Sequence, residues 1–261
     1  MRTSFLGRRS LVAGLLAIVV VLAGACGRDD AARPRLVVFA AASLTDVLPE
    51  VAEAWKAEGG LDVAFAFGAT SKLVPQILEG APADVLISAD EAWMDKLAAG
   101  GKADAASRVV LARNELVFVV PVGAATPPGG PRELPGPLGK IALAGEHVPA
   151  GTYAKASLEH AGVWAAVAPR VVRADDVRMT LKWVSAGEAD GGIVYRTDAR
   201  ADPKVVVAFA FPADTHPPIT YPAAVVAGSP RAADAARFLA FCRGPTAQAR
   251  FGRRGFAPAA R

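Results

Sequence analysis

Apolar runs of strand length alternate with segments of helical spacing along most of this chain, and that alternation leaves few architectures open. Leu36 to Ala40 is a near-continuous apolar run of buried-strand type, and Leu44, Val47, Leu48, Val51, Ala52 and Trp55 follow at helical spacing. Asp62 to Phe67 reads as a second strand and Ser71 to Glu79 as a helix with Pro75 in its first turn. Ala83 to Ser88 reads as a third strand, and Glu91 to Ala99 as a short helix ending at Gly100-Gly101. Strands joined by helices imply a parallel sheet with right-handed crossovers, in which ligands bind beyond the carboxyl ends of the strands. Ser43 and the pair Thr70-Ser71 fall at that edge.

The rhythm then stops and restarts. Leu116 to Pro121 is a strongly apolar strand, followed by a Pro/Gly-rich loop from Val122 to Gly139. Beyond it come a strand at Lys140 to Ala144, a helix from Ala150 to His160, and a strand at Val171-Val172. A helix from Asp176 to Ala186 and the strand Gly192 to Tyr195 complete the second series. Val205 to Phe211 and Tyr221 to Val226 read as return strands, with Ala232 to Cys242 and Thr246 to Arg250 as closing helices. The expected fold is α/β with two lobes, each a mostly parallel sheet flanked by helices, and a ligand cleft between them. Residues 34–115 and 212–261 would form lobe 1, and 116–211 lobe 2. Two chain crossings could then serve as a hinge.

The N-terminus reads as an export signal, residues 1–25. Arg2, Arg8 and Arg9 precede the apolar run Leu11 to Leu22, which is shorter than the roughly 20 residues of a membrane span. Two cleavage readings compete at Ala23-Gly24-Ala25-Cys26. Ala23 and Ala25 fit ordinary cleavage after Ala25, whereas small residues before Cys26 resemble a bacterial lipoprotein box whose cysteine is lipidated. The lipoprotein reading is preferred, because a cysteine at the cut is otherwise an odd choice. Arg8-Arg9 leaves Sec and twin-arginine export both open. The location is therefore periplasmic or extracytoplasmic, with Cys26 as the lipid anchor in the preferred reading.

Composition excludes several classes. The net charge of +4 includes the three signal arginines, and the basic residues form no stripe interleaved with aromatics, so no nucleic-acid footprint remains. Of the two cysteines, one is Cys26 and the other, Cys242, lies in a helical run as a small buried hydrophobe. An intramolecular disulfide and a four-cysteine zinc site are thereby excluded from the mature domain.

Four short segments sit where a helix would begin: Ala41-Ala42-Ser43, Gly68-Ala69-Thr70-Ser71, Pro149-Ala150-Gly151-Thr152 and Asp175-Asp176-Val177. Helix N-termini present unpaired N–H groups and a partial positive charge, so several converging ones hold an anion without any lysine or arginine. Each segment also has a plainer role. Ser43, Thr70 and Ser71 could simply cap their helices, Asp175 and Asp176 likewise, and Tyr195 could be an ordinary rim aromatic. Ala150 and Val177 have only a backbone N–H to offer.

Read in order, these segments resemble the periplasmic molybdate-binding proteins of ABC transporters, across essentially the whole mature chain. The resemblance rests on Val38 to Thr45, Gly80 to Asp90, Glu146 to Lys155, Asp175-Asp176-Val177-Arg178, Gly192 to Tyr195 and Arg253-Arg254-Gly255-Phe256. It implies the two-lobed periplasmic-binding-protein fold of type II and capture of molybdate, with tungstate bound similarly, for a permease and its ATPase. It further implies a monomer with no cofactor and no catalytic residue. By the same resemblance Ser43 and Thr70 supply hydroxyls, Ala150 and Val177 supply backbone N–H groups, and Tyr195 a phenol. Molybdenum would be held only as its oxyanion, with no protein ligand on the metal. The second segment departs from the usual Ser-Ser or Ser-Gly, which leaves Thr70 and Ser71 as alternatives for one contact.

Chemistry supports the transfer. Molybdate at neutral pH is a fully deprotonated dianion whose oxygens only accept hydrogen bonds, so its site should hold donors and no carboxylate. Sulfate is a smaller dianionic acceptor, and only cavity size separates the two. A binder of sulfate or another anion is therefore the nearest alternative. An enzyme on the same fold would need His147, Glu146 or the Asp175/Asp176 pair as acid–base groups, and none of these has a nucleophile or metal-ligand spacing around it. Ferric-ion binding would need clustered tyrosines, whereas Tyr153, Tyr195 and Tyr221 are scattered along the sequence.

Overall fold

The computed structural model describes residues 35–259, so the export signal 1–25 and Cys26 lie outside the described residues. The first lobe opens with β1 (Arg35–Ala41), α1 (Leu48–Ala57), β2 (Asp62–Gly68), α2 (Thr70–Leu78), β3 (Val85–Ile87), α3 (Glu91–Ala99) and β4 (Val109–Arg113). The chain then crosses once, through Asn114 and Glu115, into the second lobe. There it forms β5 (Leu116–Pro121), β6 (Ile141–Ala144), α4 (Pro149–His160), α5 (Trp164–Val167), β7 (Val171–Ala174), α6 (Val177–Ser185), β8 (Gly191–Tyr195), α7 (Arg196–Ala201) and β9 (Val205–Ala210). It returns to the first lobe for β10 (Thr220–Val225), α8 (Ala232–Arg243), α9 (Pro245–Arg253) and β11 (Ala257–Pro258).

Each lobe is built on one sheet, ordered β11-β4-β10-β3-β1-β2 in the first and β7-β6-β8-β5-β9 in the second. The two-lobed architecture is as the sequence suggests, but the sheets are mixed rather than mostly parallel. β1 runs parallel to β2 and β3, and β6 parallel to β7 and β8. The strands at the crossings run the other way: β10 is antiparallel to β3 and β4, and β5 is antiparallel to β8 and β9. A strand entering a sheet from the other lobe arrives without a βα crossover, so nothing forces it to be parallel.

Burial explains the patterning. β1 is near-continuously apolar because helices cover both of its faces, with Leu36, Val38 and Ala40 in one cluster and Phe39 in another. Fully burying a side chain of this size stabilises the fold by about 1.5–3 kcal/mol. β8 is buried along its whole length against β5 and α6. Its two glycines permit the close approach: a Cβ on Gly191 would meet the Phe118 ring at 2.3 Å, and one on Gly192 would meet Val184 Cγ2 at 2.8 Å. That packing fixes the end of the strand, and Tyr195 sits there.

Two local expectations are corrected and a third holds. The helix expected directly after Ser43 begins at Leu48; Ala42–Leu44 is a single 3-10 turn, and Ser43 caps nothing. Pro75 lies inside α2, beyond its first turn, and the helix runs on to Leu78. Cys242 is buried as expected, and burial pushes its thiol pKa up.

Candidate functional site

The 3-10 turn and three helices begin where strands end at the cleft. The turn follows β1, α2 follows β2, α4 follows β6 after a short loop, and α6 follows β7. Their first-turn N–H groups have no intrahelical acceptor and point forward, out of each helix N-terminus. α4 starts on Pro149, whose missing N–H costs nothing at that position, so Ala150 and Gly151 carry the first free donors. Gly151 presses the helix against the preceding strand, where an added Cβ would lie 2.1 Å from the Gly145 carbonyl oxygen and 2.5 Å from that of Ala144.

At α6 the Asp176 carboxylate accepts the N–H groups of Arg178 at 2.8 Å and Met179 at 2.9 Å. This is the capping role its sequence suggested. Its negative charge is turned onto its own helix, and the Val177 N–H is left outside the cap.

Ser43, Thr70, Ala150, Val177 and Tyr195 all line one small cavity between the lobes. Its volume is about 10 Å³, too small for an organic solute. Ser71, the alternative to Thr70, is half-buried and does not line it. Thr70 is buried, and its Oγ1 accepts the Ala89 N–H at 3.2 Å. Tyr195 is 1% exposed, and its hydroxyl has no hydrogen-bond partner among the described residues. Burial, with Tyr221 close by, pushes the phenol pKa far up and keeps the proton on the oxygen. The cavity thus collects hydroxyl and N–H donors; against the expectation of no carboxylate, Asp176 also lines it, with its charge engaged in capping α6.

The lobes are tied together around this cavity. Arg178 of α6 pairs with Asp46 of the first lobe and donates to the Ser43 carbonyl at 3.3 Å. Its Nε lies 2.8 Å from Asp198 Oδ1, an ion pair without hydrogen-bond alignment. Asp198 is fully buried and also accepts the Tyr195 N–H at 3.2 Å. Burial raises its carboxyl to about 6 although the Arg178 charge opposes the shift. Lys72 meets Asp175 across the gap at 2.9 Å, and the Tyr153 hydroxyl donates to the Ala89 carbonyl at 3.4 Å.

A larger cavity of about 110 Å³ lies on the other side of Ser43, among Arg178, Arg200, Arg253 and Arg254. Arg178 is held by Asp46 and Asp198, and Arg254 by Glu50 at 2.8 Å, so two of its four cations are spent on carboxylates. No local pattern announces this cavity, whose walls come from segments far apart in the chain.

The rival chemistries find no assembly here. Glu146 faces Arg173 at 3.7 Å, Asp175 faces Lys72, and His147 contributes a backbone carbonyl to Trp93. The three tyrosines, scattered in sequence, do converge: the Tyr195 and Tyr221 rings meet edge to face at 6.3 Å. Burial raises the pKa of all three phenols, which opposes the phenolate form a ferric ion needs. No group of three or more histidine, cysteine, aspartate or glutamate side chains placed to hold a metal ion occurs among the described residues.

Comparison with known proteins agrees with this geometry. Over 230 residues, 85% of this chain and 88% of the relative, the sequence is 41% identical to the molybdate-binding protein ModA of Escherichia coli K12. It is 36% identical over 251 residues to the protein of the same name from Haemophilus influenzae, covering 89% of this chain and 93% of the relative. The periplasmic molybdate-binding protein of Azotobacter vinelandii superposes with a TM-score of 0.78 at 26% identity, covering 86% of this chain and all of that one. These relatives bind solutes and are not enzymes. The model of the bacterial extracellular solute-binding proteins matches residues 36–257, and the chain belongs to that family.

Proposed function

We propose that this protein captures molybdate, and tungstate with it, outside the cytoplasm and delivers the ion to the permease and ATPase of an ABC importer. The observation that carries the reading is the buried, unpartnered Tyr195 hydroxyl facing the same small cavity as Ser43, Thr70 and the starts of α4 and α6. A buried donor without an acceptor costs free energy, and an oxyanion supplies the acceptor. Ser43, Thr70 and Tyr195 give hydroxyl donors, Ala150 and Val177 give N–H donors, and Ser71 stays outside the contact set. The ion is held as the oxyanion, with no side chain on the metal and no cofactor.

Charge-assisted hydrogen bonds contribute about 1.5–3 kcal/mol each, so several of them outweigh the cost of association. The ties between the lobes suit a clamp that shuts on the ion. The protein acts as a monomer, anchored to the membrane through a lipid on Cys26.

Thermal unfolding in molybdate, tungstate, sulfate, phosphate and Fe³⁺ tests the reading. A ligand at 100 times its Kd stabilises by about 2.7 kcal/mol, or roughly 5–10 °C for a chain of this size. Molybdate and tungstate should give that shift, and the others much less. Equal stabilisation by sulfate would overturn selection by size.

A further inference from the structure

Behind Ser43 lies a short buried chain of polar groups. Asn114, at the crossing between the lobes, accepts the Glu115 N–H on Oδ1 at 2.9 Å, and this fixes which end of its amide faces inward. Its Nδ2 then donates to the Tyr221 hydroxyl at 3.0 Å and to Thr197 Oγ1 at 2.8 Å. Tyr221 is fully buried, and its hydroxyl stands 2.9 Å from Ser43 Oγ. Asn114 offers the phenol only N–H groups. Among the described residues, the acceptor left for the phenol proton is therefore Ser43 Oγ, and a serine that receives this proton has its own proton to give.

We infer that Asn114 and Tyr221 are positioning residues that orient the Ser43 hydroxyl as a hydrogen-bond donor into the anion cavity. Neither lines that cavity. Thr70 repeats the arrangement by backbone means, since the Ala89 N–H occupies its oxygen and leaves its proton for the cleft. Both hydroxyls are thereby biased against accepting. Hydrogen phosphate, which carries a proton that needs an acceptor, is disfavoured relative to a fully deprotonated oxyanion.

The inference rests on the oxyanion reading of the site, and calorimetry with sodium molybdate separates the two. The proteins to compare are the wild type, Ser43→Ala, Tyr221→Phe and the double variant. Ser43→Ala and Tyr221→Phe should each weaken binding roughly tenfold. The double variant should be no weaker than about tenfold, because both changes remove one donor. Inorganic phosphate at pH 8 should gain on molybdate in Tyr221→Phe.

Asn114 is half-buried, so Asn114→Asp serves if Tyr221→Phe does not fold. It replaces the N–H donors by an acceptor and turns the relay around. It should weaken binding more when Ser43 is present than in the Ser43→Ala background, where only its added charge acts. Tyr221→Phe within twofold of wild type, or losses that multiply in the double variant, would overturn the relay and leave the oxyanion reading standing. Wild-type protein that gives no heat with molybdate would overturn both.

Discussion

The indole N–H of Trp93, on α3 of the first lobe, donates to the carbonyl of His147, in the loop before α4 of the second, at 2.9 Å. This exposed bond spans the cleft and exists only while the lobes are together. Trp93 emission should therefore change when molybdate is added, and Trp93→Phe should remove most of that change. The cost in affinity should be small, since an exposed neutral hydrogen bond contributes about 0.5–1.5 kcal/mol. An unchanged signal in the variant would show that another tryptophan reports closure.

Gly151 tests the backbone part of the site. Gly151→Ala places a methyl group against the carbonyls of Gly145 and Ala144, which belong to the main chain and have little freedom to retreat. The start of α4 must shift and carry the Ala150 N–H with it. The expected result is a loss of about 1–3 kcal/mol in stability, read by urea unfolding, with molybdate affinity at least tenfold weaker. Wild-type affinity would remove Ala150 from the set of donors.

Two hydroxyls that share the cavity should behave differently when deleted. Tyr195→Phe removes a hydroxyl that has no partner among the described residues, so the empty protein should keep or slightly gain stability while molybdate binding weakens. Thr70→Val leaves the Ala89 N–H without its acceptor, so stability should fall by about 1–3 kcal/mol along with affinity. Thermal unfolding of the ligand-free variants, set beside their calorimetry, checks the contrast. Equal stability changes in the two would contradict it.

Asp198 gives a pH signature. Its carboxyl, raised to about 6 by burial, titrates near 3.9 in an unfolded chain. Between those values the native state holds more protons than the unfolded one, so stability falls as pH rises through that window. The contribution is fully present below about pH 4 and gone above about pH 6. Asp198→Asn removes this dependence. The difference in unfolding free energy, wild type minus variant, should become steadily less favourable to the wild type from pH 4 to pH 6. A flat difference would mean that the group does not titrate there.

Much of this molecule was legible locally. α3 begins at Glu91 as the sequence suggests, and α4 at Pro149, one residue ahead of the expected Ala150; the Asp90 side chain that caps α3 by accepting the Trp93 N–H is seen only in the fold. Ser43 was misread in context, because Leu44, Val47, Leu48 and Val51 satisfy a helical repeat whether the first turn is α or 3-10. α7 escaped notice because Arg196–Ala201 is short, polar and without apolar spacing. Strand direction had no local signal at all, so the antiparallel strands at the crossings were invisible. The relay behind Ser43 was hidden for a similar reason: Asn114 and Tyr221 stand 107 residues apart, and only the folded crossings bring them together.

In the importer proposed above, the Tyr195 hydroxyl would also bear on traffic at the membrane. A clamp shut without its ion strands that donor, at about 1–3 kcal/mol, which thins the shut and vacant population by roughly five- to a hundredfold. A transporter that recognises the shut shape would then count ions and not protein molecules. Wasted ATP turnover would be held down by one phenol's want of an acceptor.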